Sequence, residues 1–126
     1  MVTQARRSAP IPPWFRPRRD WPGSLPQWAI AWALLNRFGR DSENREWFFD
    51  TPYIAGRIYS GGGVDFWLPL ERIAIDVSAG GRPTAVQTVQ RLQLQAVATV
   101  VTISNEAAMR NPRSALERAL QGQDTK

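Results

Sequence analysis

The sequence contains no cysteine and no histidine, and Lys126 is the only lysine among sixteen basic residues. Without Cys and His, disulfide scaffolds, thiolate chemistry, zinc centres of the Cys/His kind and Ser–His–Asp triads are all excluded. A metal bound here must be a hard cation held by oxygen ligands, and acid–base work falls to Asp, Glu, Lys or Tyr. Long apolar runs are also missing. The longest, Trp28–Leu35, is eight residues, against the roughly 20 needed to span a bilayer. The N-terminus carries basic residues but lacks the apolar stretch of a secretory signal. These absences predict a protein with no membrane segment, kept in the cytoplasm of its host cell.

What is present suffices for one domain: 126 residues, 43% of them hydrophobic. The net charge of +5 is unevenly spread. Residues 1–22 set five arginines against Asp20 alone, leaving the rest of the chain close to neutral. The sequence divides into a basic, Pro- and Trp-rich arm (1–23), a body (24–122) and a short polar C-terminal tail (123–126). Six of the ten prolines fall within residues 1–26, which keeps the arm out of helix and central strand. Arg16, Arg18 and Arg19 interleave there with Trp14, Phe15 and Trp21. Such a segment can grip phosphates and stack on bases of DNA, or dock its aromatics into a protein partner or a second copy.

Ser24-Leu25-Pro26-Gln27 reads as a capping box that opens a helix running to about Phe38, with Gly39 at its C-terminal cap. Leu25, Trp28, Ala29, Trp32 and Leu35 form its apolar stripe. Glu46–Asp50 is a short strand ended by Pro52. Arg57 and Tyr59 precede the glycine turn Ser60–Gly63 and are placed to touch a DNA backbone. Val64–Leu68 and Ile73–Val77 form a β-hairpin. A helix from Thr84 or Ala85 to about Gln95 has Val86, Val89, Leu92 and Ala96 as its buried stripe. Ala98–Ile103 suits a strand buried on both faces, and Asn111-Pro112 opens a last helix ending near Gly122. The order helix, three strands, helix, strand, helix predicts an α/β (α+β) fold, a mixed sheet with helices on its faces.

If the hairpin closes with Leu68 opposite Ile73, Phe66 faces Ile75 and Val64 faces Val77 on one side. Alternation then sends Asp65, Trp67, Ala74, Asp76 and Ser78 to the other, with Asp65 directly opposite Asp76. Like charges at such a pair are destabilising, and a divalent cation or a shared proton relieves them. A Mg²⁺ ion, which binds one or two carboxylates together with waters and phosphate oxygens, fits that requirement.

The stretch Gly61-Gly62-Gly63-Val64-Asp65-Phe66-Trp67-Leu68-Pro69, followed by Ile73-Ala74-Ile75-Asp76-Val77, resembles the PD-(D/E)XK (restriction-endonuclease-like) nuclease superfamily, in particular its small phage and mobile-element members. The resemblance implies an αβββαβ core with a mixed four-stranded sheet. It also implies that Asp65 and Asp76 hold Mg²⁺ for hydrolysis of DNA phosphodiesters. The chain departs from the pattern at three positions. Ser78 stands where the superfamily usually has Lys, Gln27 stands where the first helix often supplies Glu, and Asp76 is shorter than the usual Glu. Gln27 could still orient a water, and Arg82 or Arg91 could replace the missing Lys, although Arg91 on the polar side of its helix also reads as a solvated charge. The departures predict weak or lost catalysis. The alternative is a non-catalytic structural or assembly protein, in a phage particle, that keeps the fold and docks through its arm.

Overall fold

The capping box forms as the sequence dictates and sets the start of the first helix. Ser24 Oγ accepts from the Gln27 backbone N–H, and Gln27 Oε1 accepts from Ser24 N at 2.7 Å. The computed structural model describes residues 12–39, 47–50, 53–54, 57–58, 64–79 and 84–125. Helix α1 spans Leu25–Phe38 and stops at Gly39, whose φ of 90° suits a residue without Cβ. Trp28, Ala29, Ile30, Ala31, Ala33 and Leu34 are all buried, so the buried surface is wider than the expected stripe. The unbroken apolar run explains this, because an all-round apolar helix is stable only when covered on most sides.

Strands β1 (Phe48–Phe49), β4 (Phe66–Leu68), β5 (Ile73–Ser78) and β6 (Thr99–Ser104) form a mixed sheet in that order. β1 and β5 flank β4 antiparallel, and β6 runs parallel to β5. The parallel step is made by helix α2 (Ala85–Gln95), which opens on a second capping box, Thr84-x-x-Gln87. Helices α3 (Asn105–Arg110) and α4 (Pro112–Leu120) follow, so the described residues form a mixed four-stranded open sheet with four α-helices. Asn111 caps α4 through a bond from Ser114 N. Strands β2 (Tyr53–Ile54) and β3 (Arg57–Ile58) make a small separate hairpin that the sequence reading did not anticipate. Helix α3 was likewise unanticipated. Its cap, Ser104, is also the last residue of β6, so the chain passes from strand to helix with no loop to mark it. Among the described residues no helix is long and apolar enough to cross a membrane.

The two faces of the sheet carry separate cores. Phe66, Leu68, Ile73, Ile75, Val77, Val101 and Ile103 pack with α1, α3 and α4. Trp67 and Ala74 pack beneath Leu94 of α2. Three expectations are corrected here. Val86, Val89 and Leu92 are not buried but 65%, 53% and 62% exposed, because α2 meets the sheet through Leu94, on the opposite side of the helix. The 98–103 strand is buried on one face only, through Val101 and Ile103; it is a sheet edge. Val64 packs with Trp67 and not beside Val77, since the β4–β5 ladder stops at Phe66.

The polar tail is tied to that edge. Ser104 N donates to Thr125 O, Thr125 N to Thr102 O, and Asp124 Oδ1 accepts from Thr102 N, all at 2.8–2.9 Å. The arm is held too. Its described part makes a 3-10 turn at Pro13–Phe15, and both of its tryptophans pack against the core of their own chain. Trp14 Nε1 donates to Met109 O at 2.8 Å with its ring 5.0 Å from Trp32. Trp21 packs tilted against Phe49 at 4.5 Å and edge-on against Trp28 at 5.3 Å.

Candidate active site

The hairpin register follows expectation from Leu68↔Ile73 to Phe66↔Ile75, then breaks. Asp65 N donates to Ile75 O, the residue already paired with Phe66, so β4 leaves the ladder one step early. The break leaves Val77 N without a strand partner. The Asp65 carboxylate fills that place: Oδ2 accepts from Val77 N at 2.7 Å. Asp65 therefore reaches Asp76 not as a cross-strand partner but by turning its carboxylate along the end of the sheet. The two carboxyls lie close enough for each to act on the proton affinity of the other.

Gln27 reaches the same carboxylate from α1. Its Nε2 donates to Asp65 Oδ1 at 2.7 Å while its Oε1 is held by Ser24 N. One amide thus completes the capping box and fixes Asp65, and both of its ends are oriented by their partners. Its carbonyl oxygen is committed to Ser24, so Gln27 acts on Asp65 as a donor. Gly23 permits this approach. A Cβ there would lie 2.3 Å from Gln27 Oε1, 2.9 Å from Phe49 Cζ and 3.1 Å from Trp21 Nε1.

On the other carboxylate, Arg91 Nη2 donates to Asp76 Oδ2 at 2.9 Å and to Thr102 Oγ1 at 3.2 Å. Thr102 is the parallel register partner of Asp76. The Asp76 side chain is 20% exposed and that of Arg91 33%. Burial, then the neighbouring Asp65 charge, push the Asp76 carboxyl up to about 6, against the pull of Arg91. Burial also raises Asp65, with Asp50 adding to the rise, while the bonds from Val77 and Gln27 oppose it. Asp50 closes β1 with a φ of 55°, and its N–H donates to Asp65 O at 2.8 Å.

The structure brings together Asp65, Asp76 and Gln27, and also Arg91, one of the two arginines considered as replacements for the missing Lys. Ser78 shares the Asp76 side of β5 by alternation and pairs in register with Ser104, with no bond to either carboxylate. Arg16, Arg18 and Arg19 lie exposed on the arm, Arg18 with its guanidinium 5.5 Å from the Trp28 ring. The backbone of Arg57 lies in β3. Tyr59, the glycine turn and Arg82 fall outside the described residues. Sequence reasoning missed Asp50 and Thr102. The only available signal for Asp50 was a carboxylate placed directly after an aromatic strand, and Thr102 became visible only through the β5–β6 register.

Among the described residues no group of three or more acidic side chains forms a ready metal cage. Cavities of about 490 and 280 Å³ lie elsewhere, against α4. Comparison of the chain with protein-family models, curated proteins and solved structures finds no match.

Proposed function

We propose that the chain is a nuclease-like protein whose Asp65–Asp76 pair holds a divalent cation, Mg²⁺, for slow hydrolysis of DNA phosphodiesters. The observation that carries this reading is the pair itself. Two carboxyls from separate strands meet at the end of a sheet, both raised by burial, with a cation already drawn to one of them. Such an arrangement is costly unless charge compensates it, and carboxyls shifted by burial and by a like-charged neighbour recur at working sites. The strand order, with a parallel crossover through α2, is also what the PD-(D/E)XK resemblance implies for the fold.

The donor set fits a hard dication. Gln27, Val77 and Arg91 engage three carboxylate oxygens with one bond each, and each of those oxygens keeps a further lone pair. Two carboxylates with waters and a substrate phosphate complete the coordination Mg²⁺ prefers. Mg²⁺, when bound, supplies a Lewis acid for the phosphate and lowers the pKa of water. The chain's own residues do the rest. Asp65 and Asp76 bind the ion, Gln27 and Val77 N hold Asp65 in one orientation, and Arg91 offers a planar fork for phosphate oxygens in place of the missing Lys. The exposed Arg16, Arg18 and Arg19 supply further phosphate contacts.

The second reading, a non-catalytic structural or assembly protein that reuses the nuclease fold, is favoured by the Arg91–Asp76 pair, which gives Asp76 a counter-charge without metal. Incubation of supercoiled plasmid with Mg²⁺ or Mn²⁺ separates the two. The first reading expects slow nicking that disappears in Asp76→Ala. Nicking unaffected by that change, or none with either metal, favours the second.

A further inference from the structure

Arg91 does more than lie near the acidic pair. Its guanidinium is parked between Asp76 Oδ2 and Thr102 Oγ1, and Thr102 is itself fixed at both backbone atoms by Asp124 and Thr125. The parking place is thus built from β5, β6 and the C-terminal segment together. The helix that carries Arg91 is lightly held: Leu94 is its single buried residue, and Val86, Val89 and Leu92 face outward. With its side chain one-third exposed, Arg91 can swing outward without breaking a core.

Resting on the metal-site reading above, we propose that Arg91 and a divalent cation are alternative counter-charges for Asp76. Loading of the metal displaces Arg91 from Asp76 and releases its fork to bind a phosphate of the substrate. The reason is electrostatic. A guanidinium on Asp76 satisfies the same negative charge that a dication needs, and the two cations repel each other at the few ångströms that separate adjacent ligands of one carboxylate. Asp76 has two oxygens, but one hydrogen bond to a guanidinium and one bond to a dication place like charges side by side. Arg91 supplies Asp76 with a counter-charge in the metal-free site.

Titration with Mn²⁺ alone, followed by electron paramagnetic resonance, tests this in the full chain with wild type, Arg91→Gln and Arg91→Lys. Removing the competing charge should tighten Mn²⁺ binding in R91Q by about tenfold, the effect of one unit charge on a dication about 5 Å away across a solvent-screened site. R91K, which keeps the charge, should bind Mn²⁺ close to wild type. Thr102→Val, which removes only the second anchor of Arg91, should tighten Mn²⁺ by about two- to threefold through loss of one hydrogen bond. Thermal melts of the metal-free proteins identify any variant that fails to fold, and R91K and T102V keep the test alive if R91Q does. Unchanged or weaker Mn²⁺ binding in R91Q, with wild type binding normally, overturns the competition and leaves the metal site standing. Absence of Mn²⁺ binding in every protein overturns the metal-site reading itself.

Discussion

Replacing Asp76 by Asn should make the protein more stable, and only above the pH at which Asp76 ionises. The folded state holds the Asp76 proton up to about pH 6, against 3.8 for a free Asp carboxyl. Between those values the folded chain binds more protons than the unfolded chain, so stability falls as pH rises through about 4 to 6 and is flat above. A difference of about two pH units corresponds to about 3 kcal/mol at neutral pH. An Asn side chain keeps an oxygen for Arg91 and offers an N–H to the Asp65 carboxylate, so it turns a repulsion into a hydrogen bond. The pull of Arg91 on the ionised carboxyl is already counted in that difference. The net expectation is about 3 kcal/mol of stabilisation at pH 8, or roughly 9–15 °C in Tm for a chain of this length. Thermal melts of wild type and Asp76→Asn at pH 8 and pH 4 provide the test, with the gap closing at the lower pH. A gap of equal size at both values, or a less stable Asn variant at pH 8, would refute the assignment of an Asp76 carboxyl raised by burial and by the Asp65 charge.

Gly23→Ala should destabilise the fold by about 2–3 kcal/mol in a denaturant titration, since its methyl would sit 2.3 Å from Gln27 Oε1 and disturb a capping bond as well as packing. The same change loosens the hold of Gln27 on Asp65, so Mn²⁺ affinity should fall with stability; a variant as stable as wild type would contradict the close approach. Trp14→Ala removes the bond to Met109 O and the contact with Trp32. For a half-buried tryptophan it should cost about 2–3 kcal/mol, below the range for fully buried ones. No loss in a urea melt would mean that residues 12–23 do not stabilise the body.

Much of the architecture was written in local signals. Ser24 and Gln27 announced the start of α1, Asn111 and Pro112 that of α4, and alternation fixed the hairpin register from Leu68 to Phe66. Contacts made at a distance were not legible. An apolar stripe on α2 was plain at Val86, Val89 and Leu92, yet periodicity cannot say which side of a helix the sheet takes, and Leu94 decided it. The acidic pair was found by assuming an unbroken ladder, whereas the carboxyls meet because the ladder breaks at Asp65. Arg91 read more readily as a solvated charge than as a site residue, since only the parallel pairing of β5 with β6 puts Thr102 beside Asp76 and gives the guanidinium two acceptors. The aromatics of the arm called for partners, but the sequence held nothing to show that Trp32, Phe49 and Met109 of the same chain would be those partners.

The central claim is that Asp65 and Asp76 together form one divalent-cation site. The most direct test counts Mn²⁺ ions bound per chain by electron paramagnetic resonance, in wild type and in the Asp65→Ala, Asp76→Ala double variant. One ion per wild-type chain and none in the folded double variant is the result expected. Binding that survives the loss of both carboxylates, or no binding to the wild type, would contradict it.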